Sequence, residues 1–442
     1  MTSIRLTVLT LLVITSGELT CSEVDTVFES LSYLRGNEIP DDLLELCGRD
    51  AARLDGRGFG ITSSILQLIY SIIGKTGHSA KSLELARQMN KLQEEIPEYV
   101  PFPCRTNNTR SKVRPSRVTR VRPGDIDVIA AIGDSLVAAN GAVSTNVFQV
   151  LIANRGVSWA IGGQETWRQY LTLPNILKEF NPNLVGYSTG DSLYSANRER
   201  SQLNAAEPAA RSRDLVSMAQ TLIDRIYAHP RINVQKDWKM VTIFIGAMDF
   251  CFDMCFRENP HDILEEHRKH LTETLTNLKE NLPRTIVNVV LQINLGQILP
   301  KFSGLPWLCT RLYKAYECPC LVDERFRNQT SNFRSIMSEW QEIETEVVRS
   351  PQFQNRNDFA VVVQPFLVDT EFPTVKTADG VKTDIRYLSH DCFHPSQLGH
   401  AKAANALWNN IMEPIGKKST NWDAAFMKLR CPTEEKPYIP VR

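Results

Sequence analysis

The tetrapeptides Gly133-Asp134-Ser135-Leu136 and Gly190-Asp191-Ser192-Leu193 are identical. A serine hydroxyl becomes a nucleophile when a base takes its proton and a third group orients that base. His390-Asp391-Cys392-Phe393-His394 supplies both partners. An Asp three residues before a His, on one turn, can hold the imidazole in the tautomer that accepts a proton. The chemistry these residues allow is acyl transfer, which also needs donors aimed at the oxyanion of the tetrahedral intermediate. Besides the backbone N–H of Ser135, the candidates are the Gly162-Gly163 pair and the strand end around 245–249.

Such groups work only if the fold gathers them. The apolar, Val- and Ile-rich runs at 126–133, 240–249, 284–294 and 359–366 read as strands buried on both faces, with helical stretches at 261–282 and 396–412 between and after them. This alternation predicts an α/β fold, a three-layer α/β/α sandwich with a mostly parallel sheet. Reactive groups collect at the carboxyl ends of strands in such sheets. Ser135 stands two residues past the run 126–133 and opens a predicted helix over 138–151, whereas Ser192 follows a weaker strand candidate and reads as part of a surface loop. Ser396 is the expected cap of the helix after His394, and His390 and His400 read as surface or capping residues.

The 442 residues carry 50 Lys and Arg against 50 Asp and Glu, so global charge gives no argument for nucleic acid or an anionic membrane. Arg5, the short apolar run 6–15 and the small residues around Ser16-Gly17 have the layout of a secretory signal, and no longer apolar run follows. The expected organisation is a signal at 1–17, a helical N-terminal segment at 18–104, a basic linker or exposed strap at 105–123 and a catalytic domain at 124–442. A phospholipid-facing patch is the functional alternative for the basic stretch. Extracellular location makes disulfides the default for the ten cysteines, and Asn107 and Asn328 are glycosylation sequons. Cys251 and Cys255 are close enough in sequence to pair, and a Cys392–Cys431 bridge would tie the tail to the Asp391 segment.

Together these stretches resemble the SGNH, or GDSL-type, hydrolases, whose blocks are a Ser in Gly-Asp-Ser, a Gly, a Gly-x-Asn-Asp and an Asp-x-x-His. The likeness is greater to the phospholipase B branch, carried by "DIDVIAAIGDSLVAANGA", "SWAIGG", "TLPNILKEFNPNL", "FSGLPWLC" and "DCFHPSQLGHAKAANALWNNIMEPIG" and spanning roughly 97–437. It implies Ser135 as nucleophile, His394 as base and Asp391 as its orienting acid. The N–H groups of Ser135 and Gly163, with Gly162, are the implied oxyanion donors. It further implies a phospholipid or lysophospholipid substrate met at a transient membrane or micelle surface, and a monomer needing neither metal nor cofactor and binding no nucleic acid. Block order favours Ser135, since Ser192 follows the Gly pair.

One block departs from the family. Gly246-Ala247-Met248-Asp249 stands where Gly-Gly-Asn-Asp is the pattern, and a thioether cannot donate the hydrogen bond that the Asn amide gives. Losing one such donor costs about 10²–10³ in turnover in a serine hydrolase. The expected function is a weakened secreted hydrolase, with a catalytically impaired lipid-binding protein or an esterase of acetylated carbohydrate as alternatives. His261, His267 and His270 read as a solvated helix face, Cys318 and Cys320 as disulfide cysteines, and Trp159, Trp167 and Trp307 as an acyl-pocket lining or, for at least two of them, core.

Overall fold

A computed structural model describes residues 80–192, 198–312 and 317–442. The expected signal and residues 18–79 of the segment expected to be helical lie outside the described residues. Four strands, β1 Ile126–Gly133, β2 Trp238–Phe244, β3 Thr285–Val290 and β4 Phe359–Gln364, form a parallel sheet in the order β1-β2-β3-β4. The register runs through Ile129↔Met240, Val241↔Val287 and Val287↔Val361. Each strand is apolar at most positions because helices cover both faces. Fully burying one Val or Ile contributes about 1.5–3 kcal/mol.

The helices sort into two layers. Helices α1 Ala80–Gln88, α2 Ser135–Ala138, α3 Leu173–Phe180, α4 Leu215–Ala228, α5 Ala247–Phe252, α6 Asp262–Asn281, α7 Trp307–Leu312, α8 Pro319–Val322, α9 Thr330–Arg349 and α10 Gln397–Met412 are the ones that matter here. On one face α4 packs on α6 and α6 on α9; on the other α10 packs on α3, with Phe180 stacked on Trp408 at 5.2 Å. After β1 the chain passes through α3 to bridge Val185 against Val128, then returns through α4 to β2 on the other side of β1. Right-handed crossovers in opposite directions put α3 and α4 on opposite faces. The sheet therefore reverses its strand order about β1, and the C-terminal end of β1 is where a ligand crevice forms.

Several expectations need correction. The helix after Ser135 is only four residues long: Ala139 turns left-handed at φ 61°, and the chain doubles back so closely at Gly141 that a Cβ there would lie 2.6 Å from Ser389 Oγ. Helix α1 stops at Gln88, where Asn90 takes φ 53°, so the segment expected to be helical through 104 is not helical beyond that point. The body begins well before 124. Phe102 packs edge-on against Trp167 and Phe180, Val118 and Val121 are buried, and Arg114 joins Asp127 to Asp237 at 3.2 Å each. The basic stretch is a fixed strap.

The disulfides among the described residues are Cys104–Cys431, Cys251–Cys318, Cys255–Cys320 and Cys309–Cys392. Neither pairing considered from sequence forms. Cys251 and Cys255 sit on α5 and the turn after it, and both reach across to the start of α8 at Cys318 and Cys320. Cys392 instead fastens the Asp391 segment to α7. No helix among the described residues is long and apolar enough to cross a membrane. Asn107 and Asn328 are both exposed.

Candidate active site

The turn after β1 positions Ser135 by close packing. A Cβ at Gly133 would lie 2.2 Å from Phe244 O on the neighbouring strand, so only glycine lets β1 and β2 run together to this point. Asp134 then caps the short helix: its Oδ1 accepts from the Leu136 N–H at 2.9 Å. Burial pushes its carboxyl up to about 6, against the amides of Leu136 and Ala247 and the charge of His394. Ser135 is left at the rim of the sheet, and among the described residues nothing accepts from its N–H.

His394 meets it. His394 Nε2 lies 2.8 Å from Ser135 Oγ, and His394 Nδ1 lies 2.5 Å from Asp391 Oδ2. Asp391 is fully buried, and its Oδ1 accepts from the N–H groups of Phe393 (3.0 Å) and His394 (3.1 Å), so one tight turn fixes acid and base. Burial alone would depress the His394 imidazole, but the carboxylates of Asp391, then Glu317 and Asp134, outweigh it and hold it up at about 9. The spacing read from sequence is thus a hydrogen-bonded line from Ser135 through His394 to Asp391. Ser396 caps α10 as expected, accepting from Gly399 N–H at 3.3 Å.

Ser192 is excluded on different grounds from those expected. It is buried, not on a surface loop, its Oγ has no partner among the described residues, and Asp191 accepts from Asn154 Nδ2 at 3.0 Å. His390 and His400 are not surface groups either. His390 Nδ1 bonds Ser144 Oγ at 3.1 Å, and buried His400 accepts the Trp159 N–H at 3.3 Å, its basicity pushed down to about 3 by burial and then by His394.

The assignment of Gly162 and Gly163 as oxyanion donors is corrected. The Gly162 N–H already donates to Ser158 O and that of Gly163 to Ser188 O, each at 2.8 Å. Both glycines are needed for packing: a Cβ at Gly162 would meet Gly156 O at 2.5 Å, and one at Gly163 the Tyr187 ring at 2.1 Å. Met248, on the first turn of α5, is half-buried. The N–H of Ser135 is the uncommitted donor nearest the nucleophile.

Sequence reasoning missed several supports. Glu317 joins Asp391 and His394 in a group whose ligand-type atoms lie within 4.8 Å of one another. Both Asp391 oxygens and both His394 nitrogens are already hydrogen-bonded, so this group reads as proton-transfer machinery more than as a cation cage. Burial and the neighbouring Asp391 raise the Glu317 carboxyl to about 8. From the N-terminal side, Lys91 Nζ donates to Leu388 O at 2.5 Å, and Gln93 and Gln397 bond each other through both backbone and side chain. Burial brings the Lys91 ammonium down to about 8 despite the pull of Asp391. Trp159 and Trp167 are core, whereas Trp307 is 73% exposed.

His267 also departs from expectation. It is fully buried, its ring stacked on Trp340 at 3.6 Å, with Nδ1 at 2.6 Å from Ser212 Oγ and Nε2 at 3.6 Å from Glu344 Oε1. The charged neighbours in its own helix hid this, because its partners come from elements far away in sequence.

The family profile described as GDSL-like Lipase/Acylhydrolase matches residues 129–407. The chain is 40% identical over 328 residues to human "Phospholipase B1, membrane-associated", covering 74% of this chain and 22% of that protein. It is 37% identical over 341 residues to the Rattus norvegicus protein of the same name, covering 76% and 23%. The chain thus spans less than a quarter of the length of these relatives. Among solved structures it is similar to an extracellular lipase from Streptomyces rimosus, with 13% identity, a TM-score of 0.30, and coverage of 64% of this chain and 98% of that one.

Proposed function

The chain belongs to the GDSL-like lipase/acylhydrolase family, and on that premise we propose that it is a secreted carboxylic ester hydrolase acting on the acyl esters of phospholipids or lysophospholipids. The single observation that carries the reading is the line Ser135–His394–Asp391, at 2.8 and 2.5 Å. His394 takes the Ser135 proton as Oγ attacks the ester carbonyl. Asp391 stays ionised, holds the Nδ1 proton and stabilises the imidazolium. The leaving alcohol collects that proton, and water repeats the sequence to free the fatty acid. The Ser135 N–H supports the oxyanion. Met248 removes one amide donor, so turnover is expected about 10²–10³ below that of an Asn-bearing site. Four disulfides and two exposed sequons support the extracellular setting.

The test is fatty-acid release from phosphatidylcholine and lysophosphatidylcholine by the parent and by Ser135→Ala, without added metal. Release by the parent alone supports the proposal. With both proteins folded, release by neither would transfer it to the lipid-binding alternative, and Met248→Asn would then ask whether one missing donor is the reason.

A further inference from the structure

Of the twelve large apolar side chains exposed among the described residues, five (Trp307, Leu308, Val375, Val381 and Ile385) come from two short stretches, 301–311 and 374–386. Single exposed apolar residues are ordinary and mean nothing. These are grouped. The second stretch is an antiparallel hairpin, β5 Thr374–Thr377 and β6 Gly380–Thr383. Ser303 N–H donates to Thr383 Oγ1 at 2.9 Å, Thr383 N–H to Ser303 O at 3.0 Å, and Ser303 Oγ to Val381 O at 3.3 Å. The Lys382 side chain lies across Gly304, where a Cβ would come within 2.5 Å of its Cδ. Loop and hairpin form one rim.

That rim is continuous with the active site. Cys309, two residues past Trp307, is bonded to Cys392, which lies between Asp391 and His394 in the chain. Ile385 sits just beyond the hairpin, on the stretch whose Leu388 bridges Pro395 next to the base. The composition is also directed. Trp159, Trp167, Trp238, Trp340, Trp408 and Trp422 are all buried, so Trp307 is the exception among the seven tryptophans. Its ring, apolar with one polar edge, suits the boundary between headgroups and acyl chains. The two stretches hold five basic residues, Lys301, Arg311, Lys376, Lys382 and Arg386, against two acids, Asp379 and Asp384. Lys301, Lys382 and Arg386 are paired with Glu371, Asp379 and Asp384, and exposed Lys376 is left to complement phosphate headgroups.

We propose that this rim is the surface on which the protein rests against a phospholipid aggregate, with Trp307 and Leu308 entering the headgroup–acyl boundary and Lys376 facing phosphates. A lipid then reaches Ser135 without crossing bulk water. The inference builds on the proposed hydrolase but is tested apart from it. Binding is measured in a Ser135→Ala background, by flotation with vesicles of phosphatidylcholine alone or mixed with phosphatidylglycerol and by iodide quenching of tryptophan emission. Because the other six tryptophans are buried, the quenchable signal comes from Trp307, and vesicles are expected to protect it. Trp307→Ala with Leu308→Ser should weaken vesicle binding at least tenfold, Trp307→Phe should keep most of it, and Lys376→Glu should weaken binding chiefly to vesicles containing phosphatidylglycerol.

In the active protein the same double substitution should leave hydrolysis of monomeric p-nitrophenyl butyrate unchanged while hydrolysis of vesicle lipid falls at least tenfold. Equal flotation of the parent and the folded double variant would overturn the proposal. So would a change in sedimentation from dimer to monomer without a change in flotation, which would assign the rim to a second copy of the chain. A parent that floats but hydrolyses nothing would sink the hydrolase reading and leave the rim standing.

Discussion

Two serine–histidine–carboxyl constellations lie in this molecule, and they differ in nearly every respect that matters for chemistry. In the first, His394 faces Ser135 through Nε2, and its other nitrogen is 2.5 Å from Asp391. In the second, His267 faces Ser212 through Nδ1, and Glu344 stands 3.6 Å from Nε2. His394 and Ser135 keep 8% and 7% of their surface open, whereas His267 has none. Their protonation diverges accordingly. Carboxylates hold His394 up at about 9 against burial, while burial, then His270 and Arg268, drives His267 well below the ordinary imidazole value. Glu344 is pushed up to about 8 by burial and so is largely neutral at pH 7. A catalytic line needs a charged acid and an open approach, and the second constellation has neither. Its work is to join α4's start, α6 and α9: the Ser212 N–H donates to Asp249 at 3.0 Å, and Glu344 accepts the Gln292 N–H at 3.0 Å.

The strongest way to break this contrast is paired truncation. Ser135→Ala should lower kcat by about 10⁶, while Ser212→Ala should keep activity within about tenfold and cost about 1–3 kcal/mol in denaturant melts through an unsatisfied buried imidazole. Equal losses of activity would erase the distinction. Asp391→Asn should cost about 10⁴ in kcat, whereas Glu344→Gln, replacing a neutral carboxyl by a neutral amide, should barely register in steady-state rates. Met248→Asn should raise kcat by about 10²–10³ if the lost amide donor limits the first site.

A smaller effect concerns pH. Ester attack needs neutral His394, so kcat/KM should climb through the neutral and alkaline range. Because the Glu317 carboxylate raises His394, Glu317→Gln should move that limb to lower pH. For His267 the sign is worked from proton counts. Its native form stays neutral while the unfolded histidine binds a proton below about pH 6.5, so this residue makes stability fall by up to about 1.4 kcal/mol per pH unit on acidification. Chemical denaturation of His267→Gln across pH 4.5–7 should show a flatter acid side.

The first constellation was legible because its chemistry is local. Asp391 and His394 share one turn, and Ser135 follows a strand whose unbroken apolar run marks it as central. The four strands were readable for the same reason. The second was not, since Ser212, His267 and Glu344 come from three elements and only the tertiary fold joins them. Disulfides failed similarly. Cys251 and Cys255 look like partners along the chain, yet each is opposed in space by a cysteine more than sixty residues away. Gly162 and Gly163 were read as oxyanion donors, but what they permit is close backbone contact with 156–158 and packing against Tyr187, and their N–H groups are committed to carbonyls. The hook of Lys91 and Gln93 on the segment after Tyr387 carries no sequence signature at all.

The Cys104–Cys431 bridge joins residues 327 positions apart and lies outside every strand of the sheet. Tension applied to the chain on either side of those two cysteines would pass through the sulfurs and bypass the fold between them. Oxidised, the bridge would carry the pull past β1 and α10, as a taut cord carries a load past a pendant; reduced, the same pull would run through them.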